Sequence, residues 1–158
     1  MDFRIIKIKE YEVLISECDF EKVSAHNWFL TFSNKSDGPY FAYRTPRPER
    51  KDILLHRFIV NCPSGYCVDH ANGNTLDNRR ENLRICTQAE NRFNSRKSKS
   101  NTSGYKGVSY SSHAKKWRSQ IKRNNKIIHL GYYDTPEKAY EAYVAASKKY
   151  HGEFGRIS

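Results

Sequence analysis

Val68-Asp69-His70-Ala71-Asn72-Gly73-Asn74-Thr75-Leu76-Asp77-Asn78-Arg79-Arg80-Glu81-Asn82-Leu83-Arg84, residues 68–84, sets a carboxylate beside an imidazole and follows them with turn-forming amides; Asn91 stands nine residues after Asn82. Adjacent residues of a regular strand point to opposite faces. Asp69 and His70 can therefore serve one group only where the strand ends or twists, and Ala71-Asn72-Gly73-Asn74 supplies such an ending. Hard divalent cations take oxygen ligands from Asp and Asn side chains, and histidine is the natural base near neutral pH. These are the parts that hydrolysis of a phosphodiester needs: an activated water, charge stabilisation at phosphorus, and help for the departing oxygen.

Charge points to a matching partner. The net formal charge is +11, and it is uneven: residues 1–52 carry nine basic and nine acidic side chains, residues 53–93 five against four, and residues 94–158 fourteen against four. A positive field concentrated in one segment suits a polyanion better than a neutral small substrate. With 37% apolar and 13% aromatic residues the chain stands above the disordered class, so compact modules are expected. No apolar run approaches the roughly 20 residues of a spanning helix. Met1-Asp2-Phe3-Arg4-Ile5 has no signal-peptide pattern, and the chain reads as soluble and cytoplasmic, with no membrane partner. Cys18, Cys62, Cys67 and Cys86 are then thiols rather than disulfides. The Cys62–Cys67 spacing would admit a zinc knuckle, but there is no second close pair.

Working outward toward the N-terminus, Phe3–Ile8 and Tyr11–Ile15 read as strands joined at Lys9-Glu10. Asp19 is positioned to cap a short helix from Phe20 to Ala25; Trp28–Phe32 and Tyr40–Arg44 resume strand character. Ile53–Val60 fits helix or strand on pattern, and a short helix is expected. His56 within it has no flanking carboxylate or amide, which favours a structural histidine over a group at the phosphate. Residues 94–103 hold no apolar side chain and read as a mobile basic linker, with Arg96, Lys97 and Lys99 lying along phosphates.

Beyond the linker, Tyr105–Tyr110, Lys116–Arg123 and Lys126–Tyr133 read as three strands, with Asn124-Asn125 as a tight turn. Thr135-Pro136 opens a helix, Ala139, Tyr140, Tyr143, Val144, Ser147 and Tyr150 form its apolar stripe, and Gly152 ends it.

Two resemblances add to this reading. Leu55-His56-Arg57, Asp69-His70, Gly73-Asn74, Asp77-Asn78-Arg79, Glu81-Asn82-Leu83-Arg84 and Glu90-Asn91 resemble the HNH endonucleases, particularly the small phage homing type. The resemblance implies a ββα-metal fold with strands 67–70 and 83–87 and a helix over 88–94. It also implies His70 as general base, Asn82 as the residue orienting it, and Asp69 with Asn91 as ligands of a divalent metal, Mg²⁺ or Mn²⁺. Many members have Asp where this chain has Asn72, a change in the loop.

Gly104-Tyr105-Lys106-Gly107-Val108, Trp117–Ile121, His129–Thr135 and Ala139–Tyr143 are similar to the APETALA-two or ethylene-response-factor type of DNA-binding domain, which docks its sheet in the major groove. Alternation sends Val108, Trp117, Ile121, Ile128 and Leu130 toward the helix, and Ser109, Ser111, Arg118, Gln120, Lys122 and His129 toward DNA. Plant members commonly carry arginines at positions corresponding to Ser109 and Ser111, so fewer guanine contacts are expected.

The expected protein is α+β in fold class. A β-rich scaffold (1–52) is followed by a ββα-metal nuclease module (53–95), a linker (96–103) and a three-stranded antiparallel sheet backed by one helix (104–158). Its expected function is metal-dependent hydrolysis of double-stranded DNA by a monomer that nicks one strand, a dimer being needed for both. A non-catalytic DNA-binding regulator on the same scaffold is the alternative; it would have no use for all of Asp69, His70, Asn82 and Asn91.

Overall fold

The computed structural model describes residues 2–31, 38–95, 97–98, 100–123 and 126–157. They divide into two compact units, Met1–Gln88 and Ala89–Ser158. The fold class is α+β as expected.

In the first unit, β1 (Phe3–Ile8) and β2 (Tyr11–Ser16) pair antiparallel, from Phe3↔Ser16 to Ile8↔Tyr11. Lys9 adopts a positive φ of 54° in their two-residue turn, the conformation such turns demand. Alternation along β2 drives Val13 and Ile15 fully inward. Helix α1 is Phe20–Ser24. Asp19, expected as its cap, makes no cap hydrogen bond. Its buried carboxylate instead accepts two bonds from the Arg80 guanidinium, each 2.7 Å, because a bidentate ion pair outcompetes a neutral backbone donor.

β3 (Phe29–Thr31), β4 (Tyr40–Arg44) and β5 (Asp52–Leu54) form an antiparallel sheet in that order. The apolar run expected to be helical divides: Ile53 and Leu54 pair with Tyr43 and Ala42, and helix α2 begins at Leu55 and ends at Ile59. β4 has a pairing edge to fill, a demand that periodicity in the run itself does not reveal.

β6 (Cys67–His70), β7 (Asp77–Asn78) and β8 (Leu83–Cys86) carry the quoted stretch. β6 and β8 pair antiparallel, setting Asp69 opposite Arg84 and His70 opposite Leu83. The short β7 lies parallel to β2, with Leu14↔Asp77 and Ile15↔Asn78. Arg80 adds a clasp: its N–H donates to Ser16 Oγ at 2.9 Å and its guanidinium to the Ile59 carbonyl at 3.0 Å. Val13, Ile15, Phe41, Leu55, Ile59, Val68 and Leu83 share one core. The N-terminal strands and the segment bearing Asp69 and His70 are thus packed as one body, which fixes that segment from behind.

Helix α3 (Gln88–Phe93) begins at the boundary and from Ala89 belongs to the second unit. There β9 (Val108–Ser111), β10 (Lys116–Arg123) and β11 (Lys126–Tyr133) form a sheet in sequence order. Helix α4 (Pro136–His151) covers one side, with Ile121, Tyr143 and Ala146 at the centre and Ile128, Leu130, Tyr140 and Tyr150 around them. Thr135 caps α4 through Lys138 N–H, with Pro136 in the first turn, as the sequence predicts. Gly107, at φ 76°, has no room for a side chain: a Cβ would stand 2.1 Å from the Tyr143 ring.

The end of α3 is fastened within this unit. The Phe93 ring stacks on His151 at 3.8 Å, and Lys106 Nζ donates to the carbonyls of Phe93 and Ser95 at 2.6 and 2.7 Å. Burial among these groups lowers the Lys106 pKa to about 8. Of the segment expected to be a linker, Asn94 is buried, and Asn101 and Ser103 both donate to the carbonyls of Tyr105 and Val108. The expected Asn124-Asn125 turn lies outside the described residues. Among those residues, no helix is long and apolar enough to cross a membrane.

Candidate active site and nucleic-acid interface

β6 ends at His70, and the chain then turns sharply: Gly73 N–H donates to the His70 carbonyl at 2.8 Å with Gly73 at φ 71°. Both Asp69 and His70 are 5% exposed. The His70 ring lies 5.4 Å from His56 and 6.2 Å from Tyr40, and its Nε2 is 3.4 Å from Asn78 Oδ1. Burial pushes the imidazole below its usual value, against the opposing pull of Asn78, Asp69 and Asp77, so the neutral form is favoured. His56 is driven further, to about 3, by burial, with the neighbouring His70 and Arg57 adding to it.

Asn82 works on the loop between the strands. Its Oδ1 accepts from Asn72 N–H at 2.9 Å and its Nδ2 donates to the Asp77 carbonyl at 2.7 Å. Asn72 Nδ2 donates to Asp77 Oδ2, and Arg79 grips both Asp77 oxygens at 2.8 Å, which holds that carboxyl below its usual range. Asn72 Oδ1 also accepts from Asn74 N–H at 2.8 Å, a local turn that an Asp could equally make. The imidazole contact comes from Asn78, which the sequence reading did not single out. Asn78 Nδ2 is bound to the Thr75 carbonyl at 3.0 Å, leaving Oδ1 to face the ring.

Asp69 points the other way and forms an ion pair with Arg84 directly across the strand pair. Asn91 lies half-buried on α3, in the second unit. The Asp69 carboxylate and the Asn91 amide each carry a hard oxygen donor of the kind that divalent ions take. No group of three or more His, Cys, Asp or Glu side chains suited to a metal occurs among the described residues. None of the four cysteines is joined in a disulfide. The loop after Cys62 is organised by Arg57, which donates to the carbonyls of Cys62, Pro63 and Tyr66.

In the second unit, strand register sorts the sheet. Trp117, Ser119 and Ile121 face α4, with Trp117 only half-buried and edge-on to Tyr110 at 5.2 Å. Ser109, Ser111, Arg118, Gln120, Lys122 and His129 fall on the other side, where Arg118 reaches Ser109 Oγ at 3.3 Å. The register of β10 against β11 slips between Ser119 and Gln120. This slip brings Tyr132, 47% exposed, to the same side as His129, with the rings 4.7 Å apart, and Ile127, 67% exposed, stands opposite Lys122. Strict alternation through Gly131 misses Tyr132. Lys97 is exposed and bonds to the Gly104 carbonyl; Arg96 and Lys99 lie outside the described residues.

The HNH endonuclease family model matches residues 61–93, and the AP2 domain model matches residues 103–153. An uncharacterized HNH endonuclease of Acanthamoeba polyphaga mimivirus is 31% identical over 164 aligned positions, covering 97% of this chain and 83% of the relative. Protein 3.8 of Escherichia phage T7 is 36% identical over 95 residues, 60% of this chain and 78% of the relative. No solved structure matches the chain. The segment that places His70 and Asp69 at the end of β6 is therefore an HNH segment, the sheet and helix that follow it in the chain are an AP2 domain, and the chain belongs to the HNH endonuclease family.

Proposed function

We propose that this protein is a metal-dependent DNA endonuclease that nicks duplex DNA held by its AP2 domain. The observation that carries this reading is the buried His70 at the end of β6, contacted by Asn78 and adjacent in sequence to the buried carboxylate Asp69, with burial pushing the imidazole below its usual value. His70 removes the proton from the attacking water; a neutral imidazole is the form that can do so. Asn82 holds the 72–77 loop from which Asn78 and the ring take their positions. By the HNH resemblance, Asp69 and Asn91 would hold the divalent ion, Mg²⁺ or Mn²⁺. When bound, the ion neutralises charge on the phosphate and assists the leaving 3′ oxygen.

Gln120, Lys122, His129, Arg118, Ser109 and Ser111 meet the duplex, and Arg96, Lys97 and Lys99 follow its phosphates. Each chain has one such base, so a monomer cuts one strand, leaving 5′-phosphate and 3′-hydroxyl ends. Double-strand breakage requires a second chain or a second event. Gel shift and cleavage on the same labelled duplex, wild type beside Asp69→Asn, separate the two tasks. Asp69→Asn is expected to bind as wild type does and to leave the DNA intact; cleavage by the variant at the wild-type rate overturns the assignment.

A further inference from the structure

We propose that Ile127 is a specificity-determining residue of the second unit, reading a thymine in the bound duplex by packing on its 5-methyl group. The inference rests on the reading above, that the open side of the AP2 sheet meets the duplex, and deepens it by naming a base.

Ile127 is 67% exposed, more than any other large apolar side chain among the described residues. Ile128 and Leu130 pack against the core that Ile121 and Tyr143 form under α4, so alternation along β11 turns Ile127 to the open side. It stands opposite Lys122 there, and Gln120 with His129 makes the next pair on that side. With Gln120, Ile121 and Lys122 it borders a cavity of this unit, so apolar and hydrogen-bonding groups lie side by side. Strand propensity does not ask for isoleucine at a wet position, since threonine serves it as well. Fourteen basic against four acidic side chains in residues 94–158 draw a polyanion to this unit. Lysine, glutamine and histidine can then meet phosphates or the donors and acceptors of base edges. Isoleucine can meet neither. In the major groove a base edge offers it one apolar group, the thymine methyl, and none at a G·C pair. Ile127 therefore gains from a duplex only where a thymine is set against it.

The test is a methyl scan. A duplex is selected from a random pool by the full chain in EDTA, and each thymine of the selected site is replaced in turn by deoxyuridine, which lacks the methyl but keeps the pairing and the charge. Dissociation constants are measured for wild type, Ile127→Ser and Ile127→Gln, two changes that an exposed position tolerates. In wild type one replacement should weaken binding about fourfold, the worth of one buried methyl-sized group. In both variants the same replacement should make no difference, while a salt slope equal to that of wild type shows the fold and the phosphate contacts intact. Sequence-selective binding that ignores every deoxyuridine, or a methyl effect that survives in the variants, overturns the role of Ile127 and leaves the DNA-binding reading standing. Binding without sequence preference does the same. Failure to bind duplex DNA at all overturns both.

Discussion

Asn78 presents its Oδ1 to Nε2 of His70 at 3.4 Å, and does so because its own Nδ2 is bound to the Thr75 carbonyl. The contact ties the orientation of the ring to the loop that carries Asn78. Asn78→Ala should therefore slow cleavage by about 10- to 100-fold, through loss of ring orientation rather than of the base itself. Single-turnover rates beside equilibrium DNA binding check this: the rate should fall and the affinity should hold.

The contrast between Asn78 and Asn82 marks where sequence reasoning reaches and where it stops. The limits of β6, the alternation of Asp69 and His70, and the turn after them are local, and local residue types disclose them. Asn78 is set in place by β7, a two-residue strand that exists only because it pairs with distant β2. Nothing near Asn78 in sequence signals that pairing. Asp19 failed as a cap for the same kind of reason, since its partner Arg80 is remote in the chain. In the second unit the slip at Ser119/Gln120 moves Tyr132 to the side of His129, which no count along β11 alone foretells. The Asp69–Arg84 pair became visible only once the register of β6 and β8 was known.

Asn82→Ala removes an acceptor for Asn72 N–H and a donor to the Asp77 carbonyl. Leaving buried polar groups without partners costs about 1–3 kcal/mol each, so a loss on the order of 2 kcal/mol in stability is expected. Urea unfolding at neutral pH measures it, and a shifted midpoint with unchanged slope would locate the effect in the folded state.

Acid should weaken the first unit through His56. The folded chain refuses a proton at this ring until about pH 3, whereas the unfolded chain accepts it near the ordinary 6.5. The unfolded state binds more protons between those values, so the contribution is complete above 6.5 and is lost as pH falls toward 3. One such group gives a slope of up to about 1.4 kcal/mol per pH unit. Unfolding free energies from pH 7 to pH 4 should fall less steeply in His56→Gln than in wild type, after allowance for any loss common to all pH values.

Lys122 is exposed on the open side of the AP2 sheet, opposite Ile127. If it meets a phosphate, Lys122→Ala weakens binding evenly across DNA sequences and lowers the salt slope by about 1. Titrations of a fluorescent duplex at several salt concentrations give both quantities. A change in sequence preference with an unaltered salt slope would place Lys122 at a base edge instead.

The most direct test of a His70-dependent, metal-dependent nuclease is the conversion of supercoiled plasmid to open circles, with wild type and His70→Ala compared in Mg²⁺, in Mn²⁺ and in EDTA. The account predicts nicking by wild type with metal, none in EDTA, and a loss of about 10²-fold or more in His70→Ala, the range for removing a general base. Equal nicking by the two proteins, or nicking by wild type that persists in EDTA, would contradict it.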